Sequence, residues 1–372
     1  MQSAGYISEE RTPPTPSSLP LYPSFFPTSN INMATDPYLH LLEVLSTFNT
    51  TDKYQPFEVI KTTYKSVNEG PDINADILIP RAILSKEEPA KCAVMIRIHG
   101  GFLVTGSSSY PVWFANWTLE YAMSTGAIIV APDYRLLPEV SGKEILEDMH
   151  DFWHWVHSPQ FVEVINAASG GYILPDLNRV LVVGESAGGY LAIQLALSYP
   201  SEICAVIAAY PVLDLESRFY TEAYSKPILG VPNIPNEIIE EHISASSAVV
   251  TAADPPDRLE LAFSVFQNGR LLEFLGSEDY LFPMNRVKTL ASTGTLKLPP
   301  SFIFHGKQDS AVPFEGSQRF FNLVREQAPD AIIKFHGRDG DHGFDFAATL
   351  ETDWLKEGLE VISKAWLGNS AL

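Results

Sequence analysis

Apolar positions along this chain follow two rhythms. Short runs at 93–98, 127–131, 180–183, 205–208 and 301–304 are apolar at nearly every position, and they alternate with longer stretches whose apolar residues recur every three or four positions. A strand covered on both faces is apolar throughout, whereas a helix with one covered face is apolar in a stripe. With 57–64 and 73–79 ahead of them and 331–335 behind, the runs predict eight strands, the first two antiparallel. Helices are predicted near 37–48, 112–123, 143–157, 187–197, 314–326 and 354–366. Buried strands separated by helices predict the α/β class: a mostly parallel eight-stranded sheet with helices on both faces.

Two stretches break the rhythm. The first 30 residues are rich in Pro, Ser and Thr, as in Thr12-Pro-Pro-Thr-Pro-Ser-Ser18, yet carry Tyr22, Phe25 and Phe26. Aromatic side chains have a large apolar surface that favours burial, so an arm that docks is expected rather than a solvated tail. Between the sixth and seventh strands, 214–295 holds the breakers Pro227, Pro232, Pro235, Pro255 and Pro256, with helical stretches near 238–247 and 259–266. The expected organisation is an arm over 1–56 and a main domain over 57–372, with 214–295 inserted as a helical cap to which the arm contributes. Ligands of such sheets bind at the C-terminal strand ends, beneath that cap.

Charge and composition narrow the partners. With 25 basic and 45 acidic residues the formal charge is −20, which argues against nucleic acid and anionic membrane surfaces. No apolar run is long enough to span a bilayer, so no stable membrane insertion is expected. Met1–Glu10 has neither a basic start nor an apolar stretch, so no signal peptide is read and a cytoplasmic location is expected. Cys92 and Cys204 lie in separate apolar runs, which favours buried thiols over a disulfide. A homodimer is left open.

The candidate chemistry starts at Gly184-Glu-Ser-Ala-Gly188, where an apolar run stops and an Ala/Leu-rich helical pattern begins. A serine hydroxyl is a weak nucleophile unless it stands clear of the backbone and meets a base. A strand–turn–helix with glycines flanking the turn lifts Ser186 to the sheet edge and aims the helix N-terminus, with the Ala187 amide, at a reacting carbonyl. His99-Gly-Gly-Phe102 ends the third strand, where a glycine turn can present amides to a developing oxyanion. Asp309 follows the seventh strand, and His342 follows the eighth in Asp339-Gly-Asp-His-Gly343. The order nucleophile, acid, base is the one this kind of sheet uses.

These residues, with Asp133-Tyr-Arg-Leu-Leu-Pro-Glu139, Leu146-Glu-Asp148 and His305-Gly-Lys-Gln-Asp309, resemble the hormone-sensitive-lipase-like carboxylesterases of the α/β-hydrolase fold, over about 57–366. The resemblance implies a cofactor-free serine esterase that hydrolyses a small or medium-sized ester through an acyl-enzyme. It implies a triad of Ser186, Asp309 and His342 and an oxyanion hole at the amides of Gly101, Phe102 and Ala187. His99, Gly100, Glu185, Phe219 and Tyr220 are expected to contact substrate. Phe102 stands where the family usually has a third glycine, which keeps the amide and adds a bulky side chain. Glu185 stands where aspartate is commoner.

Related readings keep the triad and change the substrate: a natural-product hydrolase, lactonase, thioesterase or cyclase of secondary metabolism. Plant gibberellin receptors resemble the same family but lack the histidine, which is present here as His342, so a receptor ranks below an enzyme. His150, His154 and His157 share one helical face, a spacing that can hold a metal. The interleaved Phe152, Trp153, Trp155 and Val156 favour an amphipathic helix instead, so no metal is expected. Ester hydrolysis is therefore expected to persist after EDTA treatment. Loss on chelation, reversed by one divalent ion, would contradict this reading.

Overall fold

Alternation along each strand decides which layer a side chain joins. In the computed structural model, which describes residues 36–368 except Asn49, Glu69 and 86–88, Val94, Ile96 and Ile98 enter one buried cluster, while Ala93 and Met95 enter another. Val180 and Val182 likewise part from Leu181 and Val183. The first cluster takes in Leu146 and Phe152 of helix Gly142–Val156 and Leu191 and Leu195 of helix Ala187–Ser198. The second takes in Trp117 of helix Asn116–Thr125 and Leu355, Ile362 and Trp366 of helix Asp353–Leu367. Burying one such aliphatic side chain contributes about 1.5–3 kcal/mol, so two helical layers over one sheet account for the architecture.

The strands are β1 Phe57–Ser66, β2 Asp72–Pro80, β3 Ala90–Ile98, β4 Ile128–Pro132, β5 Ile173–Glu185, β6 Ala205–Ala209, β7 Ser301–Gly306 and β8 Ile333–Arg338. Their order is β1-β2-β4-β3-β5-β6-β7-β8. β2 runs antiparallel to β1 and β4, and the other neighbours are parallel. β5 starts at Ile173, well before its apolar run, because its first part pairs with Ala90–Ala93 ahead of a register shift. Leu174 is exposed there, so this extension lacks the apolar signature of a buried strand. Helix Pro159–Ser169 was not among the predicted elements, although Ser158 accepts from the Phe161 amide and Pro159 opens the first turn, a standard start signal.

Between β6 and β7 lie helices Arg218–Thr221, Glu237–Ser244, Leu259–Gln267, Leu271–Leu275 and Pro283–Ser292. The last sits against the sheet-flanking layer: Arg286 Nη1 donates to the carbonyl and Oε1 of Gln194 at 3.0 and 2.6 Å. Helix Pro37–Phe48 meets the insertion, where Tyr38 packs edge-on against Phe263. Tyr22, Phe25 and Phe26, expected to dock, lie outside the described residues. Among the described residues no helix is long and apolar enough to cross a membrane, and Cys92 and Cys204 are not disulfide-bonded.

One buried ion network fixes the loop after β4. Arg135 Nε lies 3.0 and 2.9 Å from the two oxygens of fully buried Asp148, and Lys65 of β1 reaches the same carboxylate at 2.7 Å. Removing one partner of a buried pair leaves an uncompensated charge, which costs about 3–5 kcal/mol. Asp148→Ala is therefore expected to destabilise by that amount in urea unfolding. Glu147→Ala removes an exposed partner of Lys143, which is worth at most about 1 kcal/mol. Equal losses in the two variants would contradict this account.

Candidate active site

β5 ends at Glu185 and the next helix begins at Ala187, so Ser186 alone turns the chain. Its φ of 56° and ψ of −118° lie outside the regions non-glycine residues normally use, a conformation that costs on the order of 1–3 kcal/mol. A β-carbon at Gly184 would lie 2.1 Å from the Gly188 carbonyl oxygen, and one at Gly188 would lie 2.0 Å from that of Ile98. The turn closes only with glycine at both places. The Ser186 amide donates to the Ala209 carbonyl at 2.9 Å, which ties the turn to β6.

His342 stands on the loop after β8 and donates from Nδ1 to Asp309 Oδ2 at 2.8 Å. That bond leaves Nε2 as the basic nitrogen. Asp309 Oδ1 accepts from the amides of Ala311 and Val312 at 2.9 and 2.7 Å. His305 Nε2 donates to the Val312 carbonyl at 2.9 Å and lies 3.2 Å from Asp309 Oδ2. Burial would raise the Asp309 carboxyl, but His342 and His305 outweigh it and hold the group well below the usual carboxylate range. Burial would likewise lower His342, yet its attraction to Asp309 leaves it raised above the ordinary histidine value. Asp341 braces the arrangement by accepting the amides of both His342 and Ser310 at 2.7 Å.

The loop after β3 turns with positive φ at Gly101, Phe102 and Leu103, at 108°, 63° and 62°. The Gly101 carbonyl accepts the amides of Val104 and Thr105, both at 2.9 Å. For Phe102 and Leu103 the left-handed conformation costs about 1–2 kcal/mol each. The amides of Gly101, Phe102 and Ala187 donate to no backbone acceptor among the described residues. Gly101 and Phe102 line the same cavity as Ser186 and His342. That cavity has about 640 Å³ of space not filled by protein atoms, its mouth included. Its walls are largely apolar, with Leu41 and Leu45 of the N-terminal helix and Leu259 and Phe263 of the insertion.

Residues 95–261 match a family model described as having the α/β-hydrolase fold. A probable carboxylesterase, M8, from a Phoma species is 35% identical over 330 residues, which is 86% of this chain and 99% of that one. The chain belongs to the α/β-hydrolase carboxylesterases. It is a serine ester hydrolase of the hormone-sensitive-lipase-like group. The non-reducing polyketide synthase Preu6 of Preussia isomera is 26% identical over 350 residues, covering 84% of this chain and 15% of the synthase. The butyrate-bound esterase Est2 of Thermogutta terrifontis shares the fold with a TM-score of 0.52 and 22% identity, over 86% of this chain and 96% of that one.

In this carboxylesterase Gly100 and Glu185 also line the cavity, and His99, Phe219 and Tyr220 do not. His99 is buried, stacks on Tyr134 at 4.3 Å between centroids and keeps Nδ1 2.7 Å from the Gly100 carbonyl oxygen. Burial first, then Arg97, pushes its pKa down to about 3, so it is neutral. Tyr220 is buried between Phe219 and Phe266, and Phe219 lies beside the Lys226 ammonium. Both pack within the insertion. Glu185 pairs with buried Arg97 at 3.1 Å, yet burial outweighs Arg97 and pushes its pKa up to about 7. His150, His154 and His157 do not converge: His150 meets the Tyr199 hydroxyl at 2.8 Å and His157 the Trp153 carbonyl at 2.8 Å.

Sequence reasoning missed Tyr210, whose ring meets that of His342 at 4.5 Å, and the cavity walls Trp113, Leu229 and Phe346. Tyr210 directly follows β6 at a strand end, a position that could have drawn attention. Leu229 and Phe346 stand in irregular segments with no periodic signal, and Trp113 ends a short 3-10 turn, Pro111–Trp113, at the start of a stretch predicted as helix. Rates of hydrolysis are expected to rise with pH as His342 loses its proton, with a midpoint above the ordinary value of 6.5. Asp309→Asn should lower that midpoint and reduce turnover about 10,000-fold. A pH profile of kcat/KM checks both, and a rate that falls as pH rises through this range would contradict the assignment.

Proposed function

We propose that Ser186, His342 and Asp309 act as nucleophile, base and orienting acid, with the amides of Gly101, Phe102 and Ala187 holding the oxyanion. The observation that carries this reading is the left-handed turn at Ser186, opening onto a cavity shared with His342, whose other ring nitrogen is engaged by Asp309. His342 Nε2 takes the Ser186 proton as Oγ bonds to the ester carbonyl carbon. The carbonyl oxygen becomes an alkoxide facing the free amides. On collapse the ester C–O bond breaks and the leaving alcohol takes the proton from His342. Water then repeats the sequence on the acyl-enzyme, giving the acid and restoring Ser186.

The walls support an uncharged substrate. Leu41, Leu45, Leu229, Leu259, Phe263 and Phe346 contribute apolar surface, and among the described residues no Lys or Arg lines the cavity. A carboxylate or phosphate in the substrate would lose its hydration without a counter-charge. We read the substrate as a neutral small-molecule ester with an apolar acyl or alcohol part. Helix Pro37–Phe48, together with the insertion, closes the cavity as a cap. A location in the cytoplasm belongs to the same reading.

Ser186→Ala is expected to abolish hydrolysis of p-nitrophenyl esters, by about a millionfold in turnover, with the melting temperature near that of the parent. Hydrolysis near the parent rate by the folded variant would end this reading. Across a panel, neutral apolar esters should exceed esters carrying a carboxylate. The opposite ranking would contradict the substrate class while leaving the triad intact.

A further inference from the structure

The turn carrying Gly101 and Phe102 is not held by its own conformational preference. Two successive bulky residues, Phe102 and Leu103, occupy the left-handed region, where side chains of their kind are outliers. Such a conformation persists only if the surroundings over-determine it. Here those surroundings belong largely to the insertion between β6 and β7.

Phe102 is 6% exposed, and its ring meets those of Phe263 and Phe266 edge-on, with centroids 5.5 and 4.7 Å away. Both partners stand on helix Leu259–Gln267. Just beyond the turn, Arg258 Nε donates to the Val104 carbonyl at 2.9 Å, while its guanidinium pairs with Glu139 and donates to the Leu137 carbonyl. Gly106 and Ala253 exchange two backbone hydrogen bonds, at 2.6 and 2.9 Å. Ser107 Oγ donates to Asp254 Oδ1 at 2.5 Å. The run from Phe102 to Ser107 is thus laced to residues 253–266.

We propose that the insertion sets the oxyanion turn, with Phe266, acting through the Phe102 ring, and Arg258, acting through the Val104 carbonyl, as positioning residues for hydrolysis. This rests on the assignment of the Gly101 and Phe102 amides to the oxyanion. Phe266 is the informative member because it does not line the cavity and meets the turn at the Phe102 ring. A glycine at 102 would keep the amide and hold a positive φ without help. The same bulky side chain that departs from the family pattern is therefore the handle by which the cap holds the turn. Small displacements at such a site are costly: about 1 Å of misplacement lowers rates on the order of 100-fold.

The test is a double-mutant cycle on the full chain, using Phe266→Ala, Phe102→Gly and the pair, with kcat and KM for a p-nitrophenyl ester and the inhibition constant of a trifluoromethyl ketone. Phe266→Ala is expected to lower kcat about 100-fold with KM nearly unchanged, and to weaken the ketone in parallel, since its adduct carries the oxyanion. In the Phe102→Gly background the same substitution should change kcat less than about threefold, a coupling that only residues acting through one another show. Phe266→Leu and Arg258→Lys, which keep most of the packing or the charge, carry the test if Phe266→Ala does not fold. A loss of equal size in both backgrounds, or a folded Phe266→Ala with parental kcat and ketone affinity, overturns the proposal. A parent enzyme that neither hydrolyses the ester nor binds the ketone overturns the oxyanion assignment instead.

Discussion

The structure depends on the closure of one turn. For Ser186 to leave β5 and enter the following helix within a single residue, the backbone at Gly184 must lie against Gly188, and Gly188 against Ile98, at separations no side chain permits. Gly100 is under the same constraint, since a β-carbon there would be 2.9 Å from the Glu185 carbonyl oxygen and 3.1 Å from Ser186 Cβ. The loop after β3 is therefore pressed directly onto the serine turn. Three glycines let the nucleophile and the candidate oxyanion amides lie together.

Beneath this turn lies a charge arrangement that gives Glu185 a physical role. Arg97 of β3 is fully buried, stacked over the Phe114 ring at 4.2 Å, and its Nη1 and Nη2 donate to the carbonyls of Ser108 and Trp113 at 3.1 and 2.8 Å. Glu185 meets its remaining Nε. A buried ion pair is weak evidence of stability, because desolvation offsets much of the attraction. Its geometry nonetheless joins β3, β5 and the segment before helix Asn116–Thr125 at the floor of the site.

How much was legible follows from which physical signals are local. The buried strands of the sheet showed as apolar runs because both faces are covered. Ser186, Asp309 and His342 could be located because each follows a strand in chain order, flanked by turn residues. The half-exposed start of β5 escaped, because exposure permits polar residues there. Phe219 and Tyr220 drew attention as aromatics, but aromatic content cannot distinguish packing within the insertion from a cavity wall. Leu229, Trp113 and Phe346 become walls only through long-range folding, and nothing in their immediate sequence marks them. Likewise, Phe102 reads locally as a departure from a motif, and only its contacts with Phe263 and Phe266 show what the ring meets.

The most direct measurement of the central claim is peptide mapping after reaction with a fluorophosphonate. If the turn presents Ser186 to a working base, one phosphonyl group should be found per chain, on the peptide containing Ser186, and a competing ester should slow its appearance. A chain that stays unmodified, or carries the group on a different residue, would contradict the account.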